Sequence, residues 1–147
     1  LKLSRGLGDV YKRQFIYVFA GGERMIYDKT MAVASLRPYK QWSWAGEDYS
    51  GFIWQDSGTA PTEDEINAEL TRLTNEEPMR LLRLERNKRL TACDWIITMH
   101  KELGTNIPAA WKTYRQALRD LPASANPSVD ARGELDLTSV TFPTEPS

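Results

Sequence analysis

From Met79 onward apolar side chains recur at helical intervals. Leu81, Leu84, Ala92, Trp95, Met99 and Leu103 step by three or four, with Lys88 the one polar member of the series. This pattern predicts a long helix ending at Gly104. A break near Cys93 is also open, with Asp94 capping a separate short helix from Trp95. Ile107-Pro108 opens a further helix whose stripe is Trp111, Tyr114, Leu118 and Leu121, before Pro122 closes it.

Upstream the periodicity shortens to two. Trp42 and Trp44 alternate, Ala45-Gly46-Glu47-Asp48 supplies a turn, and Phe52 and Trp54 alternate again. A hairpin with two aromatics from each strand on one face follows. A lone hairpin is marginal in water, so something must cover that face. Ahead of it, Asp28 caps a short helix with Val33 and Leu36 inward, ended by Arg37-Pro38. After it, Thr62-Glu63-Asp64-Glu65 is a capping box, and Ile66, Leu70 and Leu73 form one apolar stripe. Asn75-Glu76-Glu77-Pro78 predicts an interruption there and the start of a second helix. At the other end, PASANPSVDARGELD has the composition of a flexible connector, and LDLTSVTF is β-prone, with Leu137 and Val140 as anchors. The fold class is α+β. An aromatic hairpin with a short helix (25–60) and a connecting helix (61–78) precede a mainly helical domain (79–147) closed by a short terminal strand.

The first residues need separate treatment. SRGLGDVYKRQ, residues 4–14, matches the in-frame translation of a sequencing-library transposon adapter, whose end GAT GTG TAT AAG AGA CAG encodes Asp9 to Gln14. It is excluded as a scar. Ala20-Gly21-Gly22-Glu23-Arg24 then translates as a ribosome-binding site ahead of Met25. The expectation is therefore initiation at Met25, with Met31 the runner-up and 1–24 an artefact and untranslated, disordered leader. Setting those residues aside leaves 14 basic and 18 acidic side chains, a net charge of −4. An acidic chain has no electrostatic pull towards phosphate backbones, so nucleic acid is not an expected partner.

Candidate chemistry is sparse. The 147 residues hold one cysteine and one histidine. An intrachain disulfide and a multi-histidine metal site are excluded, and no catalytic residue, metal site or cofactor is predicted. Cys93 and His100 invite a nucleophile–base reading, but sequence nearness does not supply the geometry, and a buried structural cysteine is the plainer one. The basic run Arg80, Arg83, Arg86, Lys88 and Arg89 is either an anionic docking face or a solvated helix side paired with Glu76, Glu77 and Glu85. Trp42, Trp44, Phe52 and Trp54 either cover the protein's own helices or stay partly open to a partner. No apolar run reaches the roughly 20 residues that a bilayer span requires.

ERNKRLTACDW, WKTYRQALRDLP and VTFPTEP together resemble the phage tail assembly chaperone family. The matching positions are Arg86, Asp94, Trp95, Trp111, Tyr114, Arg115, Leu118, Arg119, Asp120, Pro143, Thr144 and Pro146. Phe142 stands where the family usually has Trp, and Cys93 precedes the Asp-Trp step. The resemblance implies a non-enzymatic protein of the host cytoplasm, binding an immature phage tail or tail-fibre protein. The alternative is a minor component of the virion tail, and a small enzyme is a more distant third. Trp42, Trp44, Phe52, Trp54 and Phe142 are the partner-binding candidates. The family helix predicts Tyr114 and Leu118 facing inward, with Arg115 or Arg119 paired to Asp94 or Asp120 and Phe142 packed near Trp95.

Overall fold

The structure, a computed structural model, describes residues 25–147. The adapter and leader expectations for 1–24 lie outside the described residues. In order come α1 (Lys29–Leu36), β1 (Trp42–Trp44), β2 (Phe52–Trp54), α2 (Glu63–Ala92), α3 (Asp94–Glu102) and α4 (Ala109–Ser124), with single 3-10 turns at Tyr49–Gly51 and Leu137–Ser139. The α+β class stands: an antiparallel aromatic hairpin, then helices. The chain divides into two compact units between Glu76 and Glu77, inside α2.

The first unit is assembled by local signals. Asp28 caps α1, its carboxylate accepting from the Met31 amide at 2.8 Å. Trp42 pairs with Trp54 and Trp44 with Phe52, so all four rings share one face. Trp42, Trp44, Tyr49 and Phe52 pack on buried Ala32, Val33 and Ile66, with Leu36 and Leu70 completing the cluster. Gly51 lets the turn close: a Cβ there would run into the Ala45 carbonyl oxygen. The Tyr49 hydroxyl donates to the Pro61 carbonyl at 2.8 Å, tying the hairpin to the start of α2. The capping box forms as expected, the Thr62 amide donating to Glu65 at 2.8 Å and the Glu65 amide to Thr62 Oγ1 at 3.2 Å.

The interruption expected at Asn75–Pro78 is absent, and α2 runs unbroken for 30 residues with Pro78 inside it. Proline costs the helix one hydrogen bond and crowds the preceding turn. Ion pairs on both sides hold the turns together: Arg72 with Glu69 and with Glu76, each at 2.6 Å, and Arg80 with Glu77 at 2.6 Å. Leu81 and Leu82, directly after, are buried and anchor the continuation.

In the second unit α2 stops at Ala92, and Cys93 rather than Asp94 occupies the cap position of α3. This restart shifts the helical phase. The predicted continuous stripe is therefore corrected: Cys93, Ile96, Tyr114 and Leu118 make the core, while Trp95 and Leu103 face outward. Gly104, at φ 64°, ends α3 with the paired bonds of a Schellman motif, Thr105 N–H to the His100 carbonyl at 2.9 Å and Gly104 N–H to the Lys101 carbonyl at 3.3 Å. α4 continues two residues past Pro122.

Two further expectations change at the carboxy terminus. The segment around Asp130 is a built turn, not a loose connector. Asp130 Oδ1 accepts from the Arg132 and Glu134 amides, each at 2.9 Å, beside a Val129–Leu135 bridge. The terminal strand is not formed either. Leu137–Ser139 is a 3-10 turn capped by Asp136, and the extended residues beyond pair with no strand. Asp136 is held below the usual carboxylate range, first by the Thr138 hydroxyl and then by its amide. Its side chain thus spends the backbone on a turn where a ladder would have needed it. Of the two predicted anchors Val140 is buried and Leu137 is exposed.

Candidate functional site

The joint between α2 and α3 is where the family-motif residues converge. Arg115, projecting from α4, donates to the Leu90 carbonyl at 3.0 Å, to Cys93 Sγ at 2.9 Å and to Asp94 Oδ1 at 2.7 Å. Each contact has a reason. Leu90 offers a last-turn carbonyl at the negative end of α2, where the Cys93 amide also donates to it at 3.3 Å, and Asp94 sits in the first turn of α3, at a positive end. One guanidinium thus neutralises a helix terminus and holds the acid that starts the next helix. Burial works against its charge, but the bonds to Asp94 and Cys93 outweigh that and raise its pKa.

The expected pairing of Arg115 with Asp94 is therefore formed. Arg119 instead reaches Gln116 Oε1 at 3.3 Å, and Asp120 accepts from Gln116 Nε2 at 2.9 Å. Tyr114 and Leu118 are buried as expected, and Trp111 meets Tyr114 edge-on with centroids 5.8 Å apart. Desolvation pushes the Tyr114 phenol above its ordinary pKa.

Phe142 packs on the Cys93–Ile96–Tyr114–Leu118 cluster and lies under the Arg89 guanidinium, 4.0 Å from carbon to ring centroid. Arg89 is itself paired with Glu85 at 2.9 Å. From the sequence Phe142 is expected near Trp95; the side chains it packs on are those of this cluster, and Trp95 is 61% exposed. Pro143 follows Phe142, half-buried in the same tail.

Trp95, Met99 and Leu103 are spaced four apart, and Leu103 keeps a right-handed helical conformation, so the three share one face of α3. Leu103 is 67% exposed and Met99 half-buried, giving an apolar ridge open to solvent. Sequence reasoning placed these positions inward. The signal it lacked was the phase shift at Cys93.

In the first unit the hairpin aromatics are all half-buried. Trp42, Trp44 and Phe52 lie on the unit's own core. Trp54 stacks beside Phe52 at 6.4 Å and donates its indole N–H to the Gly58 carbonyl at 3.1 Å. The opposite face presents Ser43 and Ile53.

The Cys93 thiol donates to the Leu90 carbonyl at 3.2 Å, and His100 Nδ1 meets Thr105 Oγ1 at 2.7 Å, so the two do not form a nucleophile–base pair. Among the described residues, no group of three or more His, Cys, Asp or Glu side chains is placed to hold a metal ion. The basic run is largely consumed locally, by the Arg80–Glu77 and Arg89–Glu85 pairs and by Arg86 reaching the Arg119 carbonyl at 3.5 Å. No described helix is long and apolar enough to cross a membrane.

Residues 79–147, just under half of the chain, match the family model of the phage tail assembly chaperone protein, a non-enzymatic kind of family. This is the family that the motifs resemble. Neither the curated proteins nor the solved structures contain a match.

Proposed function

We propose that this chain, whose residues 79–147 carry the phage tail assembly chaperone signature, binds an immature phage tail or tail-fibre protein and holds it ready for assembly in the host cytoplasm. The family match carries this reading. The exposed ridge Trp95–Met99–Leu103, inside the matched segment, supplies the docking surface. Surface patches of large apolar side chains mark interaction sites, and Trp is prominent among residues that dominate binding energy. The half-buried rings of Trp42, Trp44, Phe52 and Trp54 in the first unit, and of Phe142 in the second, are further candidate contacts.

The mechanism is shielding. An unassembled tail subunit exposes apolar surface and strand edges that its neighbours will later cover, and either one nucleates aggregation. A chaperone occupying them lowers the free concentration of the sticky species without any covalent step. The Arg115 joint serves this indirectly: it fixes the start of α3, and with it the direction in which Trp95 points.

Affinity capture of the chain from infected cells, followed by mass spectrometry of finished virions, tests the reading. A tail or tail-fibre protein captured in cells, with the chain absent from virions, is expected. The chain present in virions at fibre-like stoichiometry would make it a structural component, and capture without any tail protein would overturn the reading.

A further inference from the structure

Tyr39 is the residue whose identity the fold explains least. The backbone at residues 37–40 turns sharply, the Lys40 amide donating to the Arg37 carbonyl at 3.4 Å with Pro38 second in the turn. The third position then takes φ 63°, and Tyr39 is the one described non-glycine residue with positive φ. Turns of this kind reserve that position for glycine or asparagine, because a Cβ crowds the adjoining carbonyl. The strain is not offset by packing, since the Tyr39 side chain is 99% exposed. A large aromatic is thus held in solvent at a position where the fold favours its absence.

The charge of the described residues of the first unit, 25–76, indicates what Tyr39 meets. Residues 25–76 contain nine acidic and four basic side chains, a net of −5. All four bases are engaged within the unit. Lys29 donates to the Glu47 carbonyl, Arg37 to the Thr59 and Leu36 carbonyls, Lys40 pairs with Asp56, and Arg72 pairs with Glu69 and Glu76. Glu47, Asp48, Glu63 and Asp64 remain exposed. The field of residues 25–76 attracts a positively charged surface and repels an acidic one.

We infer that Tyr39 anchors a second docking site, outside the family-matched segment, by inserting its ring into an apolar pocket on a basic face of the tail protein. This rests on the reading of the chain as a tail assembly chaperone. Tyrosine suits the task, presenting a rigid ring with a polar tip at small entropic cost. Strain at a site that folding does not need is the pattern expected where a partner uses the residue.

The test co-expresses the full chain with the tail genes of the same phage. The tail protein that co-purifies is then titrated against wild type, Tyr39→Gly, Tyr39→Asn and Tyr39→Phe at low and moderate salt. Tyr39→Gly and Tyr39→Asn are expected to unfold at higher denaturant than wild type, because the strain is relieved, yet to bind at least about tenfold more weakly. Tyr39→Phe should retain most of the affinity, and association should slow as salt is raised. A complex whose affinity is the same for all four proteins would overturn the Tyr39 site and leave the chaperone reading intact. Failure of any tail protein to co-purify would overturn that reading and this inference with it. Lowered stability of Tyr39→Gly would show a structural role and likewise overturn the inference.

Discussion

Truncating Arg115 removes three hydrogen bonds at once. The Leu90 carbonyl loses its best donor, and Asp94 loses the cation that pairs with it at 2.7 Å. Because the Arg115 side chain is largely buried, Arg115→Ala is expected to destabilise the second unit by about 2–3 kcal/mol, read as a lower urea midpoint. Arg115→Lys should recover only part of this, since an ammonium cannot span the fork of acceptors. The pair was legible in the sequence: the Tyr-Arg-x-x-Leu-Arg-Asp spacing, set beside an Asp-Trp helix start, names its partners. The exposure of Trp95 was not. It follows from a one-residue restart at Cys93, where the tertiary contact comes from Arg115, 22 residues along the chain.

Elements declared by adjacent residues were read directly. Asp28, the Thr62–Glu65 box and Gly104 act through bonds to amides and carbonyls a few positions away, so their pattern is written locally. The hairpin was legible for the same reason, its alternation and turn lying within one short stretch. Pro78 misled because its local cost is outweighed by buried Leu81 and Leu82 and by the flanking ion pairs. Pro78→Ala is accordingly expected to raise stability by about 1–3 kcal/mol, seen as a higher denaturant midpoint with unchanged helix content. The terminal segment failed for a related reason: β-prone residues form a strand only beside a partner, and Asp136 and Ser139 tie the backbone into a turn instead.

Glu69 gives the first unit a defined acid response. Its carboxyl is lowered from the ordinary 4.5 to about 2, first by the hydrogen bond from Arg72 and then, against the opposing effect of burial, by the Ser35 hydroxyl. The unfolded chain therefore takes up this proton at higher pH than the folded unit. The associated stability is complete above pH 4.5 and is lost as pH falls towards 2. Asp56, lowered chiefly by Lys40, and Glu65, lowered chiefly by the Thr62 amide, act in the same direction. Glu69→Gln should flatten the fall in stability across that window when the unfolding midpoint is followed against pH.

At the scale of the whole molecule, charge separates the described residues of the two units. Residues 25–76 carry −5, whereas 77–147 hold ten basic and nine acidic side chains, a net of +1. The matched segment offers an apolar ridge, and the unit before it offers acidic charge with an exposed tyrosine. The central claim is that the α3 ridge holds the tail protein, and calorimetric titration of the co-purified tail protein against wild type and Trp95→Ala tests it most directly. Trp95 is 61% exposed, so the variant should keep the wild-type unfolding midpoint. Its affinity should fall by about thirtyfold, the loss expected when an anchoring tryptophan is removed from an interface. Unchanged affinity in a folded Trp95→Ala variant would contradict the account.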